Sequence, residues 1–167
     1  MHRKKFSRAE QGISLIEVLI SLLILSLGAL GFAGLQLKGL QTTEDANYRA
    51  QATLIAQDAI ERMLSNPGQI PAYTNNSYPT GSLGATPPSG CTTSDCSATA
   101  MVTQDKNQLA WIAANSLPGG RINATNCFGG AQCVIVSWNG AAPGSCLTGS
   151  GINTAADSTC VVLEVIR

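Results

Sequence analysis

At 167 residues the chain has room for one modest domain and one long anchoring element, and its formal charge is zero. Only 12% of its residues are charged, so no global field would draw a polyanion and the composition gives no support to nucleic-acid binding. The zero hides an asymmetry: Arg3, Lys4, Lys5 and Arg8 precede the first apolar run with only Glu10 against them, while six basic and nine acidic residues follow Gly12, a formal charge of −3.

From Val18 to Leu37 the chain carries no charge and is dominated by Leu, Ile, Val, Ala and Gly. About 20 such residues, rising about 1.5 Å each, cross a hydrocarbon layer of ~30 Å. The basic leader comes first, so the positive-inside rule places the N-terminus in the cytoplasm and everything after Lys38 outside. An ordinary secretory signal would have an apolar core of about 7–15 residues. Gly31-Phe32-Ala33 could then be the cleavage site, but the run is too long and Glu17 sits inside its start. A plain anchor leaves Glu17 without a role beyond reaching the headgroups. A carboxylate at the bilayer centre costs about 2.5–3.5 kcal/mol on translocon scales, and less near the interface.

A third reading uses the surrounding residues. Glu10-Gln11-Gly12-Ile13-Ser14-Leu15-Ile16-Glu17-Val18-Leu19 resembles the class III leader of type IV prepilins. In that family a short basic leader is cut after Gly, the next residue becomes the N-methylated N-terminus, and a Glu follows four positions later. The resemblance assigns cleavage to the Gly12–Ile13 bond, methylation to Ile13 and neutralisation of the new terminus to Glu17. The family usually has Phe where this chain has Ile13. The spacing has a physical reason, because an ammonium and a carboxylate that are each costly to bury alone offset much of that penalty when paired. The resemblance further implies that Glu17 meets the N-terminus of a neighbouring subunit and sets the axial register of a growing fibre.

The helical pattern continues past the apolar run. Ala52, Ile55, Ala56, Ala59, Ile60, Met63 and Leu64 recur at three- and four-residue spacing, with Glu44, Arg49, Gln51, Asp58, Glu61 and Arg62 largely between them. Asn66-Pro67-Gly68 is a stop signal. A helix over 13–65 would be roughly 80 Å long, with half in lipid or a filament core and half packed on a sheet. Gly28, Gly31 and Gly34 repeat every three residues, which permits close helix packing. Ordinary membrane-helix glycine remains the plainer reading.

The stretch 69–100 is rich in Pro, Gly, Ser, Thr and Asn and reads as a long loop. Asp105 is then expected to cap a short helix running to Ser116, which buries Leu109, Trp111, Ile112 and Leu117 before Pro118-Gly119-Gly120 ends it. Strands are expected over 121–127, 132–138 and 159–166, the last two from the runs Val134-Ile135-Val136 and Val161-Val162. Trp111 and Trp138 are assigned to the core. The six cysteines, Cys91, Cys96, Cys127, Cys133, Cys146 and Cys160, lie in the C-terminal half. Their even number in a Gly/Ser/Thr-rich region points to disulfides formed outside a reducing cytosol. Six cysteines allow 15 connectivities. Sequence order favours short loops, namely Cys91–Cys96 and Cys127–Cys133, with Cys146–Cys160 as the remaining pair. No C-x-x-C pair exists, and the single histidine, His2, is at the N-terminus, so no metal site is expected.

The pattern therefore predicts an α+β fold, a long N-terminal helix on a small antiparallel sheet with disulfide-tied loops, which is the pilin architecture. Ile13-Ser14-Leu15-Ile16-Glu17-Val18-Leu19-Ile20, the run Gly28 to Gln36, the Leu117-Pro118-Gly119-Gly120 turn and the valine-rich last strand resemble the PilV family of minor pilins, the type IV pilus modification proteins. The expected organisation is a cleaved leader at 1–12, a transmembrane or filament-core segment at 13–38, an amphipathic helical half at 39–66 and a globular domain at 67–167. The resemblance implies a structural role in priming pilus assembly and forming a tip complex, and hence in adhesion and twitching motility. Its implied partners are other minor pilins, the major pilin, a prepilin peptidase, an inner-membrane assembly platform and a tip adhesin. It implies residence in the inner membrane before assembly and on the pilus afterwards. With His2 gone from the mature chain, no Ser-His or Cys-His arrangement remains, and no Walker or dinucleotide glycine loop appears. No enzyme activity and no cofactor are expected. Asn75-Asn76-Ser77 and Asn123-Ala124-Thr125 match the glycosylation acceptor pattern, a short motif that chance also produces. The competing reading is a minor pseudopilin of a type II secretion system, whose domains commonly have smaller loops and fewer cysteines.

Overall fold

A computed structural model describes residues 12, 14–75, 77–91, 95–149, 151–155 and 157–165. The chain divides between Thr43 and Glu44 into two compact units. Helix α1, Leu15–Ser65, runs through both.

In the first unit every described residue is exposed. The helix opens where the Ser14 carbonyl accepts hydrogen bonds from the Glu17 and Val18 amides at 3.0 and 3.4 Å. Ile13 lies outside the described residues. Ser21 and Ser26 turn their hydroxyls back to the Val18 and Leu23 carbonyls at 2.8 Å, which satisfies both groups within an apolar stretch. This is the one described helix long and apolar enough, by length and composition, to cross a membrane.

In the second unit the spacing of Ala52, Ile55, Ala56, Ala59 and Met63 places all five on one buried face of α1. Pro67 cannot donate to the helix, and α1 stops before it in a short 3-10 turn, Pro67–Gln69. The region 69–100 is less irregular than its composition predicts. Helix α2, Ile70–Thr74, starts with Pro71 in its first turn and buries Ile70 and Tyr73. Helix α3, Ala98–Ser116, begins seven residues before Asp105. Its cap is Ser97, whose hydroxyl accepts from the Ala100 amide at 3.2 Å. Asp105 is therefore a buried mid-helix residue and not a cap. Val102, Leu109, Ala110 and Ala113 form the buried stripe of α3. Trp111 departs from the core assignment: it is half-buried, and its indole donates to the Ala85 carbonyl at 2.6 Å, tying the loop before α3 to the helix surface.

The Leu117-Pro118-Gly119-Gly120 turn ends α3 and starts the sheet. Gly119 has φ +58°, and a Cβ there would lie 2.8 Å from the Gly140 amide nitrogen. Three antiparallel strands follow in the order β1, β2, β5: β1 is Arg121–Asn126, β2 Gln132–Ser137 and β5 Cys160–Val165. Ile122 pairs with Val136, and Val136 with Val161. Two short strands, β3 (Leu147–Thr148) and β4 (Gly151–Ile152), pair with each other in the loop before β5.

Alternation gives the sheet two working faces. Ile122, Ala124, Val134, Val136 and Val165 join the α1, α2 and α3 stripes in one apolar cluster with Trp138. On the other side Cys133, Ile135 and Ser137 are also buried, and the 3-10 turn Pro143–Cys146 packs across the strands. Three disulfides tie the loops: Cys91–Cys96, Cys127–Cys133 and Cys146–Cys160. This is the α+β pilin fold.

Candidate functional site

The site expected from the sequence lies at the start of α1, where the geometry is that of an unpartnered surface. Gly12 is exposed, and Glu17 stands exposed in the first turn of α1. A carboxylate there is favoured by the positive end of the helix dipole. Ile13, the residue expected to be methylated, lies outside the described residues. On both sides of Glu17 the large side chains are open to solvent: Leu15 is 79% exposed, Leu30 72% and Leu35 75%. A continuous apolar surface of this kind needs lipid or protein to cover it. A Cβ placed on Gly28, Gly31 or Gly34 would meet nothing within 4 Å. Among the described residues nothing therefore requires glycine at those positions.

The globular unit holds a polar cluster that the sequence did not single out. Arg62 of α1 donates from Nε to Asp58 Oδ1 at 3.0 Å, and from Nη1 to Asp105 Oδ1 at 2.9 Å and Gln108 Oε1 at 2.7 Å. The Tyr73 hydroxyl donates to the second oxygen of Asp105. Lys106 extends its ammonium over the Tyr78 ring, 5.0 Å from the centroid. The electrostatics follow from burial. Burial lowers the pKa of Lys106 and raises those of Tyr73 and Tyr78, with the Asp105 charge adding to the rise in both. For Arg62 burial pulls downward, but the hydrogen bonds and charges of Asp58 and Asp105 raise it overall. The only local signal in the sequence was the i,i+4 spacing of Asp58 and Arg62. The connection from Arg62 to Asp105 spans two helices and left no local pattern.

This cluster joins α1, α2 and α3 and is built to hold them. A cleft of about 180 Å³ at the sheet is lined by Ser77, Tyr78, Thr80, Arg121 and Asn123 among others, with no His, Cys, Asp or Glu. Among the described residues no group of three or more His, Cys, Asp or Glu side chains is placed to hold a metal ion.

A long exposed apolar helix joined to a disulfide-tied α+β unit defines a class, the subunits that polymerise through an N-terminal helix. Two family models match the chain: "Prokaryotic N-terminal methylation motif" over residues 7–33 and "Type IV pilin Tt1218" over residues 34–107. Together these matches run from residue 7 to residue 107 and support a type IV pilin carrying a class III prepilin leader. No curated protein and no solved structure gives a match. The pilin family is structural. The leader and family together imply processing by a prepilin peptidase and assembly with other pilins. The leader and the apolar helix also fit anchoring in a membrane before assembly.

Proposed function

We propose that the protein is a structural minor pilin of the PilV kind, acting in the priming of pilus assembly and in a tip complex. The observation that carries this is the first unit of α1. Every described residue there is exposed, a run of apolar side chains follows Glu17, and only lipid or neighbouring subunits of matching chemistry could bury it. In this reading residues 1–12 are removed after Gly12, and Ile13 becomes the methylated terminus. Residues 13–38 occupy the membrane and later the filament core, 39–66 form the amphipathic half and 67–167 the globular domain. Before assembly the N-terminus faces the cytoplasm and the globular domain the periplasm. Glu17 neutralises the new ammonium, first within its own helix and then in the fibre, because an unpaired charge in that setting is costly. Gly28, Gly31 and Gly34 face neighbouring helices, which would account for residues the isolated subunit does not need. Other minor pilins, the major pilin, the assembly platform and a tip adhesin are its partners, and it has no catalytic role. Adhesion and twitching motility follow from that place in the fibre.

Glu17→Ala tests the reading. Processing at Gly12 should proceed as in the unaltered protein, while incorporation into pili, measured on sheared fibres by immunoblot, should fall sharply. Normal pilus content for that variant would sink the assignment. Deleting the gene separates a pilus role from the pseudopilin alternative: surface fibres and twitching should be lost, with export of folded enzymes intact. The three disulfides favour the pilus side.

A further inference from the structure

One guanidinium joins three segments of the globular unit. Arg49 on α1 donates from Nη2 to the Ser158 carbonyl at 2.6 Å and from Nε to Asp45 Oδ2 at 2.9 Å. Its Cζ lies 5.4 Å from the centroid of the Trp138 ring. Trp138 has no exposed surface, and its amide donates to the Thr159 carbonyl at 3.1 Å. Among the described residues no α1 side chain before Arg49 hydrogen-bonds outside the helix. Beside Tyr48, which packs on the core, Arg49 is thus the first described α1 side chain to hydrogen-bond across the unit, and what it grips is the short strip Asp157–Thr159 leading into β5.

The closed arrangement is not fully satisfied. Trp138 Nε1 and Ser158 Oγ are both buried without a hydrogen-bond partner. Each raises the energy of the closed state and would be hydrated if the strip lifted. The Arg49–Asp45 pair is itself 39% and 48% exposed, so water and salt screen it. What opposes opening is the stack of Arg49 on the indole and the charge-assisted bond to Ser158. The Cys146–Cys160 disulfide fixes β5 just beyond the strip, so opening would stop there.

We propose that Asp157–Thr159 is a latch, held shut over Trp138 by Arg49 and poised to open as a local unit without unfolding the sheet. Opening releases three hydrogen bonds, Arg49 to the Ser158 carbonyl, the Trp138 amide to Thr159 and the Ser158 amide to the Ala155 carbonyl, and brings the indole N–H and the Ser158 hydroxyl to the surface. The latch goes beyond the minor-pilin reading, and its test does not depend on that reading.

Hydrogen exchange on the full chain in detergent micelles reads the latch directly. In Arg49→Gln the amides of Trp138 and Ser158 should exchange about tenfold faster or more, while the Cys127–Cys133 hairpin keeps its rate and far-UV circular dichroism is unchanged. Acrylamide quenching of Trp138 emission, measured in a Trp111→Phe background, should rise in parallel. Unchanged exchange at both amides would overturn the proposal, and so would an equal rise across every segment. Asp45→Asn, which loosens only the Nε contact, should give a smaller rise at the same two amides, and this measurement stands if Arg49→Gln does not accumulate. Arg49→Lys keeps the charge without the planar stack, so full restoration of slow exchange by it would also overturn the proposal.

Discussion

Arg62 and Asp105 are 43 residues apart in sequence and 2.9 Å apart in space, and their contact fastens α1 to α3. The Asp105 side chain is 8% exposed and that of Arg62 23%. Burial at this level makes the pair weak evidence for net stabilisation but makes breaking it costly, because Arg62 then keeps only the partly exposed Asp58 as a counter-charge. Asp105 also accepts from Tyr73, so its removal strands the Tyr73 hydroxyl and leaves Arg62 with only Asp58 and Gln108. Asp105→Ala should therefore destabilise the globular unit by about 2–4 kcal/mol, less than for a fully buried pair because Arg62 can reach solvent. Denaturant unfolding followed by near-UV circular dichroism would measure it. A loss under about half a kcal/mol would mean the network is dispensable.

Tyr73 and Tyr78 sit near the same carboxylate and should respond oppositely to loss of the hydroxyl. Tyr73 gives its proton to Asp105, whereas the Tyr78 hydroxyl is buried without a partner. Removing a hydrogen bond to a charged group costs about 1.5–3 kcal/mol, so Tyr73→Phe should destabilise by that amount. Deleting an unsatisfied group is neutral or stabilising, so Tyr78→Phe should leave the unfolding midpoint level or raise it.

The same two residues set the alkaline limit. Both folded pKa values are raised, so their contribution is fully present below the ordinary tyrosine pKa of about 10 and is lost as pH rises beyond it. The lowered pKa of Lys106 acts the other way. Between its folded value and about 10.4 the unfolded chain holds the extra proton, and stability rises slightly with pH. The urea midpoint should thus fall above about pH 10, and less steeply in Tyr78→Phe. A flat profile to strongly alkaline pH would contradict the burial-driven shifts.

What the sequence revealed was what repeats locally. The stripe from Ala52 to Met63 has helical period, and β2 and β5 are announced by β-branched runs, so both elements fall where the pattern places them. The first turn of α3 was hidden because Ala98 to Met101 bury nothing, and burial begins only at Val102. Without an apolar period, Ser97 looked like one more loop serine and Asp105 took the role of cap. Helix α2 is five residues long, too short to show a period at all. Arg49 appeared as an outward charge because it stands outside the apolar stripe, while its partner Ser158 is 109 residues distant. Trp111 and Trp138 are the same residue type with opposite fates. Only the fold sets one beneath α1 and the other against a surface loop.

The disulfides should differ in their contribution according to the loops they close. Cys146–Cys160 spans 14 residues, against six for Cys127–Cys133 and five for Cys91–Cys96. On a chain-entropy account a loop of about 15 residues is worth about 3 kcal/mol, and the shorter ones somewhat less. Cys146 is also fully buried beside the sheet, so paired replacement of Cys146 and Cys160 by Ser would place a hydroxyl in that site as well. This double variant should show the largest drop in unfolding midpoint of the three, and that of Cys91 and Cys96 the smallest. An inverted order in thermal or denaturant melts would show that local strain, not loop length, governs them.

Gly31 separates the needs of the subunit from those of the fibre. A Cβ at this position meets nothing within 4 Å in the isolated chain, and replacing an exposed helical glycine by alanine gains about 1 kcal/mol of helix propensity. Within the subunit, then, Gly31→Ala should be harmless or stabilising, with helical signal and processing at Gly12 preserved. If neighbouring helices approach at Gly28, Gly31 and Gly34, Gly31→Leu should cost far more, because its side chain would fill the space that close approach requires. The expected result is unchanged membrane levels of both variants, with pilus incorporation falling modestly for Ala and severely for Leu in sheared-fibre immunoblots. Equal incorporation of Gly31→Leu and the unaltered protein would show that this glycine faces lipid or solvent throughout, and that the helices meet along another face.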